Sequence, residues 1–184
     1  MKILVPVDGS ETSTRALKHA LTLAKASAKP GKVVVVAVDD ALFPGVERKI
    51  GAEAVRNHHA ENFARMFGPA RKALARSKAQ VSFVETVGAV ADGILETAAK
   101  QKADMIVMGS RGAGAIKGTL LGSVSMKVLA GAEVPVTIVG AARTRVRARR
   151  LSPARPRCPR AGPRAPAAAH SARARARRGR PGTW

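Results

Sequence analysis

The stretch Met105-Ile106-Val107-Met108-Gly109-Ser110-Arg111-Gly112 joins an apolar run to a glycine-rich turn, and Gly122-Ser123 follows after nine further residues. Many α/β proteins hold phosphate where a strand ends in glycines and leads into a helix, because a backbone without Cβ atoms can come close to an anion. The free N–H groups at the start of the helix then point at the negative charge. The stretch therefore predicts a nucleotide-binding α/β domain.

Short apolar runs alternate with segments of helical periodicity along the first 139 residues. The runs predict five strands, at 3–7, 33–38, 81–87, 105–108 and 134–139. The periodic segments predict four helices, from the N-cap Ser10 to about 28, and at 52–75, 89–102 and 118–129. A loop marked by Pro44 and Gly45 precedes the second helix, which Gly68-Pro69 should kink or interrupt. This alternation predicts an α/β fold: a five-stranded parallel sheet, doubly wound, with helices on both faces.

Three of the predicted strands are followed by residues suited to a ligand site. Asp8 follows the first strand, Val38-Asp39 closes the second, and Gly109 follows the fourth. In an open parallel sheet, ligands bind outside the carboxyl ends of the strands, where the strand order reverses. We therefore expect these residues to converge on one crevice.

Three segments together resemble the universal stress protein family. They are the run Ile3-Leu4-Val5-Pro6-Val7-Asp8-Gly9-Ser10, the spacing of Gly109, Gly112 and Gly122-Ser123, and the run Val134-Pro135-Val136-Thr137-Ile138-Val139. The resemblance covers residues 1 to about 141, and the spacing G-x2-G-x9-G-[ST] is the mark of family members that bind ATP. It implies a Rossmann-like domain of the adenine-nucleotide alpha-hydrolase type, ATP as the ligand with or without Mg²⁺, and a homodimer. The last strand is the natural pairing edge, since an exposed apolar edge strand invites a partner.

The same resemblance implies a role for each matching position. Pro6 and Asp8 would line the adenine and ribose side, and the backbone of Val38 would contact adenine. The glycine-rich segments would wrap the ribose and reach the phosphates, through Gly109, Gly112, Gly122 and Ser123.

The residues by themselves leave other readings open. Gly109 and Gly112 also fit an ordinary strand-to-helix turn, and Asp8 fits a turn residue or a helix-dipole partner. Arg111 and Lys117 flank the glycines and fit either phosphate partners or solvated loop charges. Thr119 and Ser125 are expected to be capping or helix-surface hydroxyls, and His58-His59 to be surface histidines. Neighbours on a helix point about 100° apart, so the two imidazoles cannot chelate one metal together.

The predicted phosphate end of the site lacks acidic residues. There is no Asp or Glu from 105 to 132, whereas phosphoryl transfer needs a metal held by carboxylates or phosphates and a residue that places the attacking group. Carboxylates from the other strand ends are limited to Asp8, Asp39 and Asp40. This distribution predicts a nucleotide-binding module or slow switch with at most slow ATP hydrolysis, and the family resemblance implies that it acts in the stress response. A weak ATPase is kept as an alternative.

From Arg143 onward the periodicity is lost, and Arg, Pro, Ala and Gly dominate. The segment from 143 on holds 14 of the 33 Lys and Arg and none of the 12 Asp and Glu. Such a composition buries too little apolar surface to offset ordering entropy, so we expect a domain at 1–141 and a disordered basic tail at 142–184. The tail supports a second function class, a nucleic-acid-associated protein that binds polyanions non-specifically. A GC-rich gene read in a shifted frame would give the same composition, and both origins stay open.

The cellular location is predicted from features that the sequence lacks, namely paired cysteines, a signal peptide and a membrane span. The single cysteine, Cys158, cannot form an internal disulfide, which suits a reducing compartment. The apolar run at 3–7 is shorter than the core of a signal peptide, and no run approaches the ~18 apolar residues of a membrane span. We therefore expect a cytoplasmic protein without membrane association.

Overall fold

The computed structural model describes residues 1–27, 31–75, 77–112 and 121–140. Within these ranges strands and helices alternate as predicted. In chain order they are β1 (Lys2–Pro6), α1 (Glu11–Ala26), β2 (Lys32–Asp39), α2 (Pro44–Leu74), β3 (Gln80–Val87), α3 (Val90–Lys100), β4 (Met105–Gly109), α4 (Ser123–Gly131) and β5 (Val136–Val139). The predictions for Lys117, Thr119, Cys158 and the tail lie outside the described residues.

The five strands form one parallel sheet in the order β3-β2-β1-β4-β5. From β1 the chain moves outward through β2 and β3, then crosses back to place β4 on the other side of β1. The strand order therefore reverses between β1 and β4, in the middle of the sheet. A crevice is expected at the carboxyl ends of these two strands.

Helices cover both faces of the sheet, which confirms the predicted fold class. One core lies between the sheet and α1 with α2, and a second lies between the sheet and α3 with α4. Because β2 is covered on both sides, its sequence is a continuous apolar run and does not alternate. Val33, Val35 and Ala37 belong to the first core. By the two-residue period of a strand, Asp39 therefore projects toward the face that carries α2.

The turn between β1 and α1 is held by its own polar side chains. The hydroxyl of Ser10 accepts a hydrogen bond from the Ser13 N–H at 3.1 Å, as predicted for an N-cap. The Asp8 carboxylate accepts one from the Ser10 N–H at 3.0 Å. Gly9 between them adopts φ +81°, which glycine tolerates without strain. The direction in which α1 leaves the sheet is thus fixed beside the crevice.

The second helix departs from the prediction in its start and in the place of its kink. It begins at Pro44 rather than near 52, and its break lies at Gly51, with φ 80° and ψ 160°. It is not interrupted at Gly68-Pro69, where the backbone angles stay helical. The buried side chains of Phe67 and Ala70 anchor this part of the helix in the core. Packing therefore outweighs the cost of a proline inside the helix.

The fourth helix begins at Ser123, later than the predicted start at 118. Positions 118–120 lie outside the described residues, and Gly122 is the N-cap with φ −77° and ψ 160°. The first turn of α4 therefore starts directly beside the end of β4.

Candidate functional site

A cavity of about 660 Å³ opens at the carboxyl ends of β1, β2 and β4. Its lining includes all eight residues that the sequence predicted for the site, namely Pro6, Asp8, Val38, Gly109, Arg111, Gly112, Gly122 and Ser123. The structure thus brings together residues from four loops and strand ends that are up to 117 positions apart. The expected convergence is observed. The binding roles of these residues stay predictions.

The packing of α1 leaves little room for a side chain at Gly109. A Cβ added at this position would lie 3.0 Å from Thr12 Cγ2 and 3.2 Å from the Thr12 carbonyl carbon. The first turn of α1 therefore rests on the backbone of β4, and a side chain at 109 would push it away. For this glycine, an ordinary strand-to-helix turn with close packing is a sufficient explanation.

Gly112 leaves room for the carboxylate of Asp8. A Cβ at 112 would lie 2.7 Å from Asp8 Oδ2, while Asp8 Oδ1 accepts the Ser10 N–H. Asp8 therefore stabilises the turn, which was one of its two interpretations from the sequence. At the same time it faces the glycine-rich loop. A substitution at Gly112 would disturb Asp8 as well as any ligand.

Gly122 is different, because nothing in the described chain requires glycine there. Its φ of −77° and ψ of 160° lie in the region that every residue adopts. The heavy atoms nearest to an added Cβ are at ordinary van der Waals distances, Arg111 Cα at 3.6 Å, Ser110 O at 3.7 Å and Ser125 Oγ at 3.9 Å. The position borders the cavity. Within the described ranges, packing therefore does not account for a glycine at 122.

Ser125 ties the start of α4 to the end of β4. Its hydroxyl donates to the carbonyl oxygens of Gly109 at 3.0 Å and Ser110 at 3.3 Å, and the Gly122 N–H donates to the same Ser110 oxygen at 2.8 Å. The prediction of a capping or helix-surface hydroxyl is wrong, since Ser125 is only 3% exposed and joins two elements. These bonds hold the N-terminus of α4 against the cavity.

The sequence analysis missed a polar network at the end of β2. The Nδ1 atom of His59 lies 2.6 Å from Asp39 Oδ2, and the Asn62 amide donates to the same oxygen at 2.9 Å. His59 is 8% exposed, so its prediction as a surface histidine is wrong, whereas His58 is exposed as expected. The Asn62 amide nitrogen also lies 3.1 Å from His58 Nε2, and the Asn62 oxygen accepts from Arg65 Nη2 at 2.9 Å.

Two members of this network, Asp39 and Arg65, line the cavity. A sequence signal existed in hindsight: His59 and Asn62 are three positions apart and therefore share one helix face. The strand period places Asp39 toward the same helix. What the sequence lacked was the register of α2 against β2.

The network favours the ionised form of Asp39. Burial raises the pKa of Asp39, but the hydrogen bonds from Asn62 and His59, together with the electrostatic influence of the two imidazoles, lower it more. The pKa therefore lies below its ordinary value of 3.8. A carboxylate that stays ionised acts only as a hydrogen-bond acceptor.

The described ranges show neither a metal centre nor a membrane helix. No group of three or more His, Cys, Asp or Glu side chains is placed there to hold a metal ion. In the same part of the chain, no helix has both the length and the apolar character needed to cross a membrane.

Comparison with known proteins gives consistent matches. The model of the universal stress protein family matches residues 1–140. A universal stress protein of Methanocaldococcus jannaschii is 33% identical over 138 residues, covering 75% of this chain and 81% of its own length. The solved hypothetical protein MJ0577 superposes with a TM-score of 0.65 at 29% identity, over 78% of this chain and 97% of its own. A universal stress protein solved in complex with cAMP has a TM-score of 0.56 at 28% identity, over 76% and 96%.

The ionised state of Asp39 should make the contribution of Asn62 depend on pH. A lowered folded-state pKa stabilises the fold above the unfolded pKa, and this stabilisation is lost as pH falls through the folded value. Asn62→Ala should therefore lower the free energy of unfolding by about 1–3 kcal/mol at pH 7 and by clearly less at pH 3. Urea denaturation at both pH values measures the difference.

The exposed pair Lys100–Glu96, at 3.0 Å, supplies the control. Glu96→Gln should change stability by less than about 1 kcal/mol at pH 7. An equal loss for Asn62→Ala at pH 7 and pH 3 would show that the amide does not act through the ionised carboxylate.

Proposed function

Because the chain belongs to the universal stress protein family, we propose that its cavity binds an adenine nucleotide, ATP foremost, in a stress-response module. The observation that carries the proposal is Gly122, a glycine at the cavity wall that no packing contact within the described ranges requires. The convergence of the other seven predicted positions on the same cavity supports it. The cAMP complex of a structural relative is consistent with this ligand class.

The base would lie at the end of β2. Val36 accepts from the Val7 N–H, so the N–H and C=O of Val38, two residues on, point to the same side, past the last β1–β2 pair at Pro6 and Val36. A neighbouring N–H and C=O suit the edge of adenine, which offers an acceptor ring nitrogen beside an amino donor. Val38 would read the base through its backbone, and Pro6 would line the same side.

The phosphates would lie at the start of α4. Its N-cap is Gly122, no side chain caps it, and its first turn holds no acid. The backbone N–H groups of the first turn have no partner inside the helix, and Ser123, Val124 and Ser125 line the cavity. Oriented N–H groups and the helix dipole favour phosphate, and Arg111 adds a cation beside them.

Charge along the cavity favours one direction for the ligand. Asp8, Asp39 and Asp40 line the side formed by β1 and β2, where Arg65 of α2 also borders the cavity, and Arg111 lies near α4. Two negative charges 4 Å apart repel by about 4 kcal/mol at the dielectric of a protein surface, so the three acids would repel the phosphates, and Arg65 would offset part of this repulsion. The carboxylate of Asp8 suits the ribose hydroxyls, which can donate to it.

Substitution of Gly122 tests the site directly. Gly122→Val should weaken ATP binding at least about tenfold, because a branched side chain would occupy the place where the phosphates approach, while its backbone angles suit valine. Isothermal titration of ATP, with and without Mg²⁺, gives the dissociation constants and the metal dependence. Circular dichroism shows whether the variant is folded.

Gly68→Ala is the matched control, because an added Cβ there meets nothing within 4 Å and the residue lies inside α2. It should leave ATP binding unchanged. If Gly122→Val binds ATP as tightly as the parent chain, the phosphate end of the site is misplaced.

We further propose that the site holds ATP with at most slow hydrolysis. No Asp or Glu occurs from 105 to 132, so the phosphate end lacks a carboxylate of its own. Release of phosphate should be far slower than the ~10 s⁻¹ typical of enzymes. Turnover near that rate, lost in Asp8→Ala, would instead make the chain an ATPase.

The proposed homodimer would form through the edge strand β5. This strand lies at one border of the sheet, and Met126 and Leu129 of α4 are exposed. Light scattering should give the mass of two chains. A monomeric mass at micromolar concentration would contradict the dimer.

The tail from 143 is proposed as a separate polyanion-binding segment, outside a domain at 1–141. Its binding to DNA should fall steeply between 50 and 200 mM salt and should vanish in a chain ending at Ala142. Undiminished DNA binding by the shortened chain would contradict this division.

A further inference from the structure

We propose that His59 and Asn62 of α2 are positioning residues that set the base preference of the cavity by holding Asp39 and, through it, the backbone of Val38. The inference rests on the proposed nucleotide site and deepens it. Neither His59 nor Asn62 lines the cavity itself. Their effect would reach the base through β2.

Both donors converge on one oxygen. His59 Nδ1 and the Asn62 amide nitrogen lie 2.6 and 2.9 Å from Asp39 Oδ2. They come from one face of α2, whereas Asp39 ends β2. Hydrogen bonds to an ionised carboxylate are stronger than neutral ones, so these two bonds tie the end of β2 to α2 from this side.

The same strand end is also held from two other sides. The Gly88 N–H donates to the Asp39 carbonyl oxygen at 2.9 Å, which ties it to the end of β3. On the opposite face, an added Cβ at Gly93 would lie 2.8 Å from Val38 Cγ1, so α3 packs directly on Val38. Val38 and Asp39 thus sit between α2, β3 and α3. Without the hydrogen bonds from α2, the end of β2 would be held only by β3 and α3.

Asn62 has a defined orientation because it bridges two charges. Its oxygen accepts from Arg65 Nη2 at 2.9 Å, and its nitrogen donates to Asp39. Arg65 and Asp39 both line the cavity. One partly buried amide therefore sets the positions of an anion and a cation at the base end, and reversing it would oppose donor to donor.

The consequence is a change in base selectivity, beyond a loss of stability. Inosine triphosphate has the ribose and phosphates of ATP but reverses the donor and acceptor at the base edge. A correctly placed Val38 backbone discriminates between the two, because the wrong base leaves polar groups unpaired. A displaced Val38 would bind both nucleotides more equally, whereas a merely structural defect would weaken both by the same factor.

The experiment measures the dissociation constants of ATP and inosine triphosphate for the full chain and three variants. His59→Ala should reduce the preference for ATP by about threefold or more. His59→Asn, which keeps an N–H donor near the Nδ1 position, should restore most of it. His19→Ala removes an exposed histidine of α1 and should leave the preference unchanged.

If His59→Ala does not fold, Asn62→Asp replaces the donor by a second carboxylate of equal size and should reduce the same preference. An unchanged preference in the folded variants would overturn the inference and leave the nucleotide site intact. A parent chain that binds neither nucleotide would overturn the proposed function, and this inference with it.

Discussion

The parallel pairing of β1 with β4 is the constraint on which the rest of the site depends. Ile3 pairs with Met105 and Leu4 with Ile106 in the middle of the sheet. Because the chain has already built β2 and β3 on one side, this pairing forces the loops after β1 and β4 to leave in opposite directions. The gap between those loops is the cavity. Asp8 and Gly112, 104 positions apart, come into contact as a result.

The order of strands and helices could be predicted because each buried strand is apolar and each helix has its own period. The boundaries of α1 and β3 followed from local signals such as the Ser10 cap. The second helix could not be predicted in the same way. Pro69 argues against a helix locally, yet Phe67 and Ala70 are buried against the sheet, and this burial is a tertiary contribution that no local pattern contains.

Site residues could be predicted where they directly follow a strand. They could not be predicted where the contact depends on how two elements pack together. Asp8, Val38 and Gly109 were expected at the site because strand ends meet there, and the family resemblance implied Pro6, Gly112, Gly122 and Ser123. The network of Asp39, His59 and Asn62 depends on how α2 is rotated and shifted against β2. A rotation of about 100° would exchange His59 with His58, and the sequence gives no reason to prefer one. The pairing thus had to be observed.

The three glycines of the motif show that the spacing of glycines can predict a site without giving the reason for each glycine. Gly109 accommodates the helix α1, and Gly112 accommodates the carboxylate of Asp8. The Gly109 contact involves the backbone of α1, which cannot turn aside, whereas the Gly112 contact is with the end of a side chain. Among the described residues nothing crowds a side chain at Gly122, and its backbone angles are open to any residue. The motif therefore combines one glycine that the packing of α1 explains with two that border the cavity without a close backbone contact.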